Sequence, residues 1–244
     1  MTRKIIGVLG GMGPEATLDF FGKIIRGTPA ARDQDHLRMI IDNNPQIPDR
    51  MEAIIGRGES PVPMMVESGR ALARAGADFI VIPCLSAHVF IDELRAQLAL
   101  PILSAFEVIP EAIKSGYPGV RTVGLLATKG TVRSGRFEKK IRERGLSVMT
   151  PELEDLDRVN GAIYRIKSSP AESSRRESRA DLIGVAERLI QKGAQGMIAG
   201  CTEIPLVLKG EDLAVPFFDS LMMLAEAAIR EAGPPAAVPT TPTP

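Results

Sequence analysis

The chain has 244 residues, of which 44% are hydrophobic and 25% charged, and its 30 basic and 30 acidic residues balance to zero formal net charge. This length and composition suit two lobes with buried cores. Basic blocks are absent and aromatic residues make up only 4% of the chain, so no nucleic-acid partner is expected. No apolar run reaches the roughly 20 residues that span a membrane, so no membrane partner is expected either.

The first half of the sequence alternates between strand and helix patterns. Residues 5–10 form an apolar run that ends in glycine, which is typical of a strand covered on both faces. Pro14 suits the first turn of a helix over residues 15–25. The elements predicted after it are a strand at 37–42, a polar loop at 43–50, a helix at 63–75 with Gly76 as its C-cap, a strand at 78–83, and a helix that begins after Cys84 and runs through Leu98.

The second half repeats this plan. Its predicted elements are a strand at 122–127, a helix at 131–144 ending at Gly145, a strand at 146–150, a mobile polar loop at 166–179 leading into a helix through Arg188, a strand at 196–200, and a helix at 220–231 after the segment 213–219. The Pro-rich residues 234–244 are predicted to form a flexible tail. Alternating strands and helices indicate mainly parallel α/β sheets, which bind ligands at the carboxyl ends of their strands.

An internal repeat relates the two halves. Residues 72–84 align with 189–201 without a gap, and Cys84 falls on Cys201 at an offset of 201 − 84 = 117. Residues 4–20 align with 121–137 at the same offset. The repeat predicts two similar doubly wound α/β lobes related by a pseudo-twofold, with the active-site cleft between them. The expected division is 1–113 with 215–233 for the N-terminal lobe and 114–214 for the C-terminal lobe.

The chain's two cysteines occupy equivalent places in these lobes. Cys84 and Cys201 each follow a predicted strand and precede a predicted helix. Unpaired backbone N–H groups and the helix dipole at such a place favour thiolate over thiol. Two thiols facing one cleft would let one remove a proton from carbon while the other donates a proton to the opposite face. A single such cysteine is more often a buried structural residue, but the matched pair favours a proton-transfer site.

Glycines and charged residues near the strand ends are further candidates for the site. The cluster at 10–14, with Met12 and Gly13 as candidate substrate contacts, lets backbone approach an anion closely, although a tight structural turn explains it equally well. Arg50 is either a bidentate carboxylate clamp or a solvated surface residue. Lys167 is either a cation that closes over an acidic substrate or a plain exposed lysine.

Several smaller polar residues have two interpretations each. Asn43 and Asn44 either cap a loop or contact ligand, and Glu203 either supports Cys201 or caps a helix. His88, four residues after Cys84, either orients a thiol or is a structural histidine. No Cys/His spacing resembles a zinc site, so no metal is expected. The hydroxyl groups that follow the second lobe's first strand are candidates for carboxylate binding and belong to Thr131 and Ser134.

Six ordered motifs together resemble the cofactor-independent aspartate/glutamate racemase family. The motifs are GGMGPEAT (10–17), DNNPQIPDR (42–50), PCLSAH (83–88), LLATKGTVRSGRF (125–137), the pair 166–167, and GCTEIPL (200–206). The resemblance covers residues 4–232. It implies a two-lobed, dimeric enzyme that racemises acidic amino acids without pyridoxal phosphate or another cofactor.

The resemblance also implies a role for each matching residue. Cys84 and Cys201 resemble the paired acid/base thiols, and Arg50 and Lys167 resemble the cations that hold the distal carboxylate. The hydroxyls around the α-carboxylate and amine correspond to Ser86, Thr131 and Thr202. One position departs from the family: Leu85 stands where the family has an asparagine beside the first cysteine. This departure bears on substrate identity and on catalytic rate.

The sequence therefore favours an amino-acid racemase that acts on aspartate, glutamate or a close analogue. A first alternative is a relative with altered chemistry, such as a maleate-type isomerase or a decarboxylase. A second is a non-catalytic amino-acid-binding protein that kept the cleft. Two cysteines behind an apolar start that is broken by glycines and Pro14 favour a reducing cytoplasm over a secreted disulfide scaffold.

Overall fold

Two four-stranded parallel sheets form the framework in the computed structural model, which describes residues 3–233. The strands of the first sheet are β1 (Ile6–Gly10), β2 (Met39–Asn43), β3 (Phe79–Val81) and β4 (Ile102–Leu103), in the order β2-β1-β3-β4. The strands of the second sheet are β5 (Thr122–Ala127), β6 (Ser147–Met149), β7 (Met197–Gly200) and β8 (Phe217–Asp219), in the order β6-β5-β7-β8. The two orders are identical under the repeat, which confirms the predicted fold of two similar α/β lobes.

Helices connect the strands in both halves. The first half contains α1 (Pro14–Gly27), α2 (Arg50–Ile54), α3 (Val62–Arg74), α4 (Ile91–Arg95) and α5 (Ala105–Gly116). The second half contains α6 (Lys129–Ser134), α7 (Arg136–Glu143), α8 (Leu153–Ser168), α9 (Glu172–Gln191), α10 (Ile204–Val207) and α11 (Ser220–Ala232). Short 3₁₀ turns lie at Asp33–Asp35, Ser86–Phe90 and Gly210–Asp212. In residues 3–233, no helix is both long and apolar enough to cross a bilayer.

One hydrophobic core joins the two lobes. It contains β1 residues such as Val8 and β5 residues such as Leu125, both fully buried. Phe106 of α5 stacks on Phe137 of α7 with ring centroids 4.7 Å apart. Each lobe also has its own smaller core on the other side of its sheet strands. The lobes are therefore packed firmly together, and a cleft between them is held by a continuous apolar base.

The segment 166–179, predicted to be a mobile loop, is mostly helical. It contains the last turn of α8 and the first part of α9, and only residues 169–171 connect the two helices. Ile163 and Ile166 of α8 pack in one core with Leu182 of α9. Charged residues dominate the sequence of this segment, so its few apolar positions do not stand out as a helical pattern. Burial of those apolar positions between the two helices stabilises the helical structure. The prediction of a loop was wrong for this reason.

Two predicted helices are broken. The helix expected over 131–144 divides into α6 and α7 at Gly135, whose φ of +64° terminates the first helix. The helix expected after Cys84 begins as the 3₁₀ turn and continues only as the short α4. The predicted loop 43–50 agrees with the structure except at its ends, where residue 43 is the last of β2 and residue 50 is the first of α2. The strand β4 and the helix α5 were not predicted.

The C-terminal segment 215–233 contributes to both halves. Its strand β8 pairs with β7 in the second sheet, through Met197 opposite Phe217. Its helix α11 packs against α1 and α5 of the first half. The predicted flexible tail at 234–244 lies outside the described residues.

Candidate active site

Both cysteines lie just beyond the ends of equivalent strands. Cys84 follows β3 and Cys201 directly follows β7, and the two side chains are 4% and 7% exposed. Both are free thiols. Because β3 and β7 hold the same position in their sheets, the fold carries each thiol to the carboxyl edge of its sheet, where α/β proteins bind ligands.

The thiol of the second lobe donates to a buried carboxylate. Cys201 Sγ lies 2.8 Å from Glu203 Oε2, and Thr202 Oγ1 donates to the same oxygen at 3.1 Å. The other oxygen, Glu203 Oε1, lies 3.4 Å from Lys167 Nζ. Glu203 is 3% exposed. Its charge is therefore balanced by one lysine and two hydrogen-bond donors rather than by water.

This environment keeps the Cys201 proton in place. Burial raises the pKa of Cys201 well above its ordinary value, and the negative charge of Glu203 raises it further, against a lowering by Lys167. The expectation that the following helix would favour thiolate at both cysteines was therefore wrong for Cys201. Here burial and the neighbouring carboxylate outweigh the dipole of the four-residue α10.

Lys167 stays a cation in the same cluster. Burial lowers its pKa, but the negative charge of Glu203, joined by that of either cysteine when it is a thiolate, outweighs burial and raises the pKa above the ordinary lysine value. These charges act only over short distances, so Lys167 lies within electrostatic reach of both thiols.

The thiol of the first lobe has a neutral partner. Cys84 Sγ lies 3.4 Å from Ser86 Oγ, and either atom can be the donor. The intervening Leu85 is 3% exposed and packs in the core that joins the lobes. The departure at position 85 therefore adds apolar packing behind the thiol and no polar contact.

Arg50, which could have been a surface residue, is buried at the start of α2. Its Nη1 donates to the carbonyl oxygens of Ile47 and Pro48 at 2.9 and 2.8 Å, and its Nη2 donates to that of Met12 at 3.3 Å. Its Nε has no partner among the described residues. The guanidinium is thus fixed by three backbone carbonyls and keeps one buried N–H free.

A cavity of about 350 Å³ lies beside Arg50, Lys167 and Glu203, and neither Cys84 nor Cys201 is among its lining residues. It is lined by both halves of the chain, namely by Gly11, Gly13, Pro14, Glu15, Pro45, Ile47, Asp49, Arg50, Lys167 and Glu203. Two cations from opposite lobes, Arg50 and Lys167, face the same space. The position of this cavity fits the predicted cleft between the lobes.

Other predicted residues lie away from this cavity. Thr131 is fully buried, with its Oγ1 3.1 Å from Thr128 Oγ1, and Ser134 Oγ donates to the Thr131 carbonyl at 2.7 Å. Asn43 is exposed at the end of β2, and Asn44 Oδ1 accepts from the backbone N–H of Gln46 at 3.1 Å, as expected for a loop cap.

His88 contacts backbone rather than a thiol. Its Nε2 lies 3.2 Å from the carbonyl oxygen of Ile82, and the ring lies 5.6 Å from that of Phe106. Burial lowers the pKa of His88 to about 4, so the ring is neutral at neutral pH. This arrangement corresponds to the structural interpretation of His88.

Two contacts across the mouth of the cavity were not predicted. Tyr164 Oη donates to both oxygens of Asp49, at 3.2 and 3.1 Å, and burial followed by the Asp49 charge raises the Tyr164 pKa to about 12. Arg175 of α9 pairs with Glu15 of α1 at 2.7 Å. Tyr164 lies one helical turn before Lys167, which is a signal that sequence reasoning would have had if α8 had been recognised.

The described part of the chain contains no group of three or more His, Cys, Asp or Glu side chains arranged to hold a metal ion. The charged groups of the cavity are instead the cations Arg50 and Lys167 and the carboxylates of Glu15, Asp49 and Glu203, with the thiol of Cys201 adjoining Glu203. This set of groups can bind carboxylates and can hold or move a proton at sulfur.

Comparisons with known proteins cover nearly the whole chain. Residues 9–228 match the family model described as Asp/Glu/hydantoin racemase. The chain is 26% identical over 230 residues to the broad specificity amino-acid racemase RacX of Bacillus subtilis (strain 168), covering 92% of this chain and 96% of the relative. The structure is similar to that of Picrophilus torridus aspartate racemase, with a TM-score of 0.83, 32% identity and 94% coverage of both chains. It is also similar to an aspartate racemase homologue from Pyrococcus horikoshii OT3, with a TM-score of 0.75, 27% identity, and coverage of 95% of this chain and 99% of the other.

Proposed function

The chain belongs to the Asp/Glu/hydantoin racemase family and is an isomerase, and on that premise we propose that it interconverts the L and D forms of aspartate, glutamate or a close analogue. The reaction uses Cys84 and Cys201 as paired acid and base and requires no pyridoxal phosphate. The observation that carries the proposal is the cavity lined by Arg50 and Lys167 from opposite lobes, with Cys201 joined to its wall through Glu203.

The two cations of the cavity are partners for the carboxylates of an acidic substrate, although its wall also contains the carboxylates of Glu15, Asp49 and Glu203. An acidic amino acid carries two carboxylates and one ammonium group at neutral pH, and the cavity offers the fixed guanidinium of Arg50 and the ammonium of Lys167. The unpartnered Nε–H of Arg50 is a buried donor that a carboxylate can satisfy. The names of the similar proteins, an aspartate racemase and a broad specificity amino-acid racemase, support the same class of substrate.

The proton transfer starts from two different thiols. Cys84, as thiolate, removes the α-proton from one face of the substrate and becomes a thiol. Cys201, which burial and Glu203 keep protonated, gives its proton to the opposite face and becomes a thiolate. The reverse sequence converts the other enantiomer. Lys167 stabilises whichever thiolate is present, and donors in the cleft stabilise the carbanion between the two steps.

Assembly and location complete the proposal. The protein is a homodimer, which is supported by the exposed apolar residues Leu18, Phe21 and Ile25 along α1, with Met222 on the neighbouring α11. Light scattering is expected to give twice the mass of the chain, and Phe21→Arg is expected to halve the measured mass.

The site needs reduced thiols, and both cysteines are free, so the protein operates in the cytoplasm.

The experiment is chiral chromatography of L- and D-aspartate and L- and D-glutamate after incubation with the protein alone. Each enantiomer of the preferred acid is expected to reach a 1:1 mixture. Lys167→Met is expected to raise KM about 10- to 100-fold, since a charge-assisted contact is lost, while the exposed Lys192→Met leaves it unchanged.

Two results would contradict the racemase. Conversion of maleate without inversion of any amino acid would assign the site to a cis–trans isomerase. Thermal stabilisation by aspartate or glutamate, with no turnover of either, would assign the cleft to a non-catalytic binding protein.

A further inference from the structure

A second cavity, of about 380 Å³, lies at another junction of the two lobes. Its wall includes α4 and the start of α5 from the first half, and α7 from the second. It shares no lining residue with the cavity beside Arg50, Lys167 and Glu203, which we call the thiol cleft. The catalytic proposal gives this cavity no role.

The cavity wall contains a buried imidazole with one unused nitrogen. His88 is fully buried and lines the cavity. Its Nε2 faces a carbonyl oxygen, that of Ile82 at 3.2 Å, so this nitrogen must carry the hydrogen. The neutral ring then presents Nδ1 as an acceptor, and Nδ1 has no partner among residues 3–233. A buried acceptor without a partner is costly, and a ligand that donates a hydrogen bond to Nδ1 would remove this cost.

The charged groups around the cavity favour an anion. Four basic and two acidic residues line it, in a chain whose formal net charge is zero; they are Arg95, Arg136, Lys139, Lys140, Asp92 and Glu107. The excess of two positive charges is local. It also comes from both lobes, because the arginines and lysines lie on α4 and α7.

The two carboxylates are already engaged by arginines. Glu107 accepts from Arg95 through both oxygens at 3.1 Å, and this hydrogen bond lowers the Glu107 pKa. Asp92 lies 3.0 Å from Arg136 Nη1. The two lysines of α7 share Glu143, at 4.0 and 3.0 Å, so one positive charge remains uncompensated by these pairs.

A free hydroxyl and a helix N-terminus complete the wall. Ser104 is the N-cap residue of α5 but makes no side-chain cap bond, and it is 2% exposed. The twelve-residue α5 directs the positive end of its dipole and its first N–H groups toward this part of the wall. Anions bind at such ends, and the serine hydroxyl offers a further hydrogen bond.

We propose that this cavity is a binding site for inorganic phosphate. Hydrogenphosphate carries both the negative charge that the basic residues favour and a P–OH that can donate to His88 Nδ1. Sulfate has the same shape and charge but no hydroxyl at neutral pH, so it leaves Nδ1 unsatisfied. The site is independent of the racemase proposal, since none of its residues lines the thiol cleft.

Isothermal titration of the full-length protein with inorganic phosphate, and separately with sulfate, at pH 7 tests the site. Phosphate is expected to bind about tenfold or more tightly than sulfate, the size of one hydrogen bond to a charged group. Arg136→Gln and Ser104→Ala are each expected to weaken phosphate binding several-fold. The matched control is Arg158→Gln, which removes an exposed arginine that also pairs with a carboxylate on a helix.

The Lys167→Met variant separates this site from the thiol cleft. Phosphate binding is expected to be unchanged in it. Three results would overturn the proposal: no heat of phosphate binding, equal affinities for phosphate and sulfate, or loss of binding in Lys167→Met with retention in Arg136→Gln. Thermal unfolding of each variant without phosphate shows that weakened binding does not come from unfolding.

Discussion

The two thiol turns have the same place in the fold and different chemical surroundings. In the first lobe Cys84 is followed by Leu85 and Ser86, and its contact is a neutral hydroxyl at 3.4 Å. In the second lobe Cys201 is followed by Thr202 and Glu203, and its contact is a carboxylate at 2.8 Å. The repeat thus fixes where the thiols lie, and in the second lobe burial and the carboxylate two positions later raise the pKa of Cys201.

The difference continues one turn further. At the offset of 117, His88 of the first lobe corresponds to Pro205 of the second. The His88 ring contacts the Ile82 carbonyl, whereas Pro205, the second residue of α10, has no polar side-chain atom and no backbone N–H. The two turns therefore differ in the residue four positions after the thiol as well as in the thiol's own contact.

The largest expected effect concerns His88 and stability in acid. The folded protein holds the His88 pKa at about 4, below its ordinary 6.5. The unfolded chain therefore takes up the proton first as pH falls, and stability is lost between about pH 6.5 and 4. The loss reaches about 3 kcal/mol in the free energy of unfolding. Urea unfolding at several pH values measures it.

His88→Gln is expected to remove this component, because a glutamine amide can donate to the Ile82 carbonyl but does not titrate. His36→Gln, at the other of the chain's two histidines, is the matched control. An acid slope that is the same in His88→Gln and in the natural protein would show that the first lobe's turn is not the pH-sensitive one.

The second effect concerns Glu203 as a positioning residue for Cys201. Glu203→Gln removes a charge that raises the Cys201 pKa, so that pKa is expected to fall. Racemisation has an equilibrium constant of one, so kcat/KM is expected to fall equally in both directions. The expected loss is about 10- to 100-fold, the value of one charged hydrogen bond.

The first lobe offers the matched substitution. Ser86→Ala removes a neutral contact and is expected to lower kcat/KM by less than about tenfold. The pH profile of alkylation at Cys201, measured in a Cys84→Ala background, separates the roles. Its midpoint is expected at lower pH in Glu203→Gln; an unchanged midpoint would refute the assigned role of Glu203.

The smallest effect concerns the helix after each lobe's first strand. In the first lobe α1 is continuous through Leu18, and in the second the matching position is Gly135, with a φ of +64° between α6 and α7. Gly135→Ala is expected to lower the free energy of unfolding by about 1–2 kcal/mol, because only the backbone conformation resists it.

Gly119→Ala is the control for Gly135→Ala. An added Cβ at Gly119 also meets open space, but its backbone has no positive φ. Urea unfolding is expected to give a change within about 0.5 kcal/mol there. Equal effects at the two glycines would mean that Gly135 does not set the break in the second lobe's helix.

Much of the framework was predictable because strand signals are local. The buried runs at 5–10, 78–83 and 122–127 form β1, β3 and β5, and the repeat predicted two similar lobes, which agrees with the identical strand orders. Helix α8 and the first part of α9 were not predicted, because their stability comes from packing against each other through residues such as Ile166 and Leu182 rather than from local propensity.

The site was predictable in its residues more than in its electrostatics. Arg50 and Lys167 do line one cavity, and motif position was enough to indicate them. The protonation of Cys201 was not predictable, since the helix dipole suggested thiolate and the outcome depends on burial and on the contact with Glu203. The contact between Tyr164 and Asp49 joins residues 115 positions apart, and no sequence pattern carries that information.

The most direct test of the two-thiol site is proton NMR in D₂O of L- and D-aspartate and L- and D-glutamate with the natural protein, Cys84→Ala and Cys201→Ala. The natural protein is expected to erase the α-proton signal of both enantiomers of its substrate. Each variant is expected to lose inversion completely while the remaining thiol still exchanges the α-proton of one enantiomer. Inversion that persists in either variant, or an absence of exchange from all four amino acids, would contradict a proton-transfer site built from one thiol of each lobe.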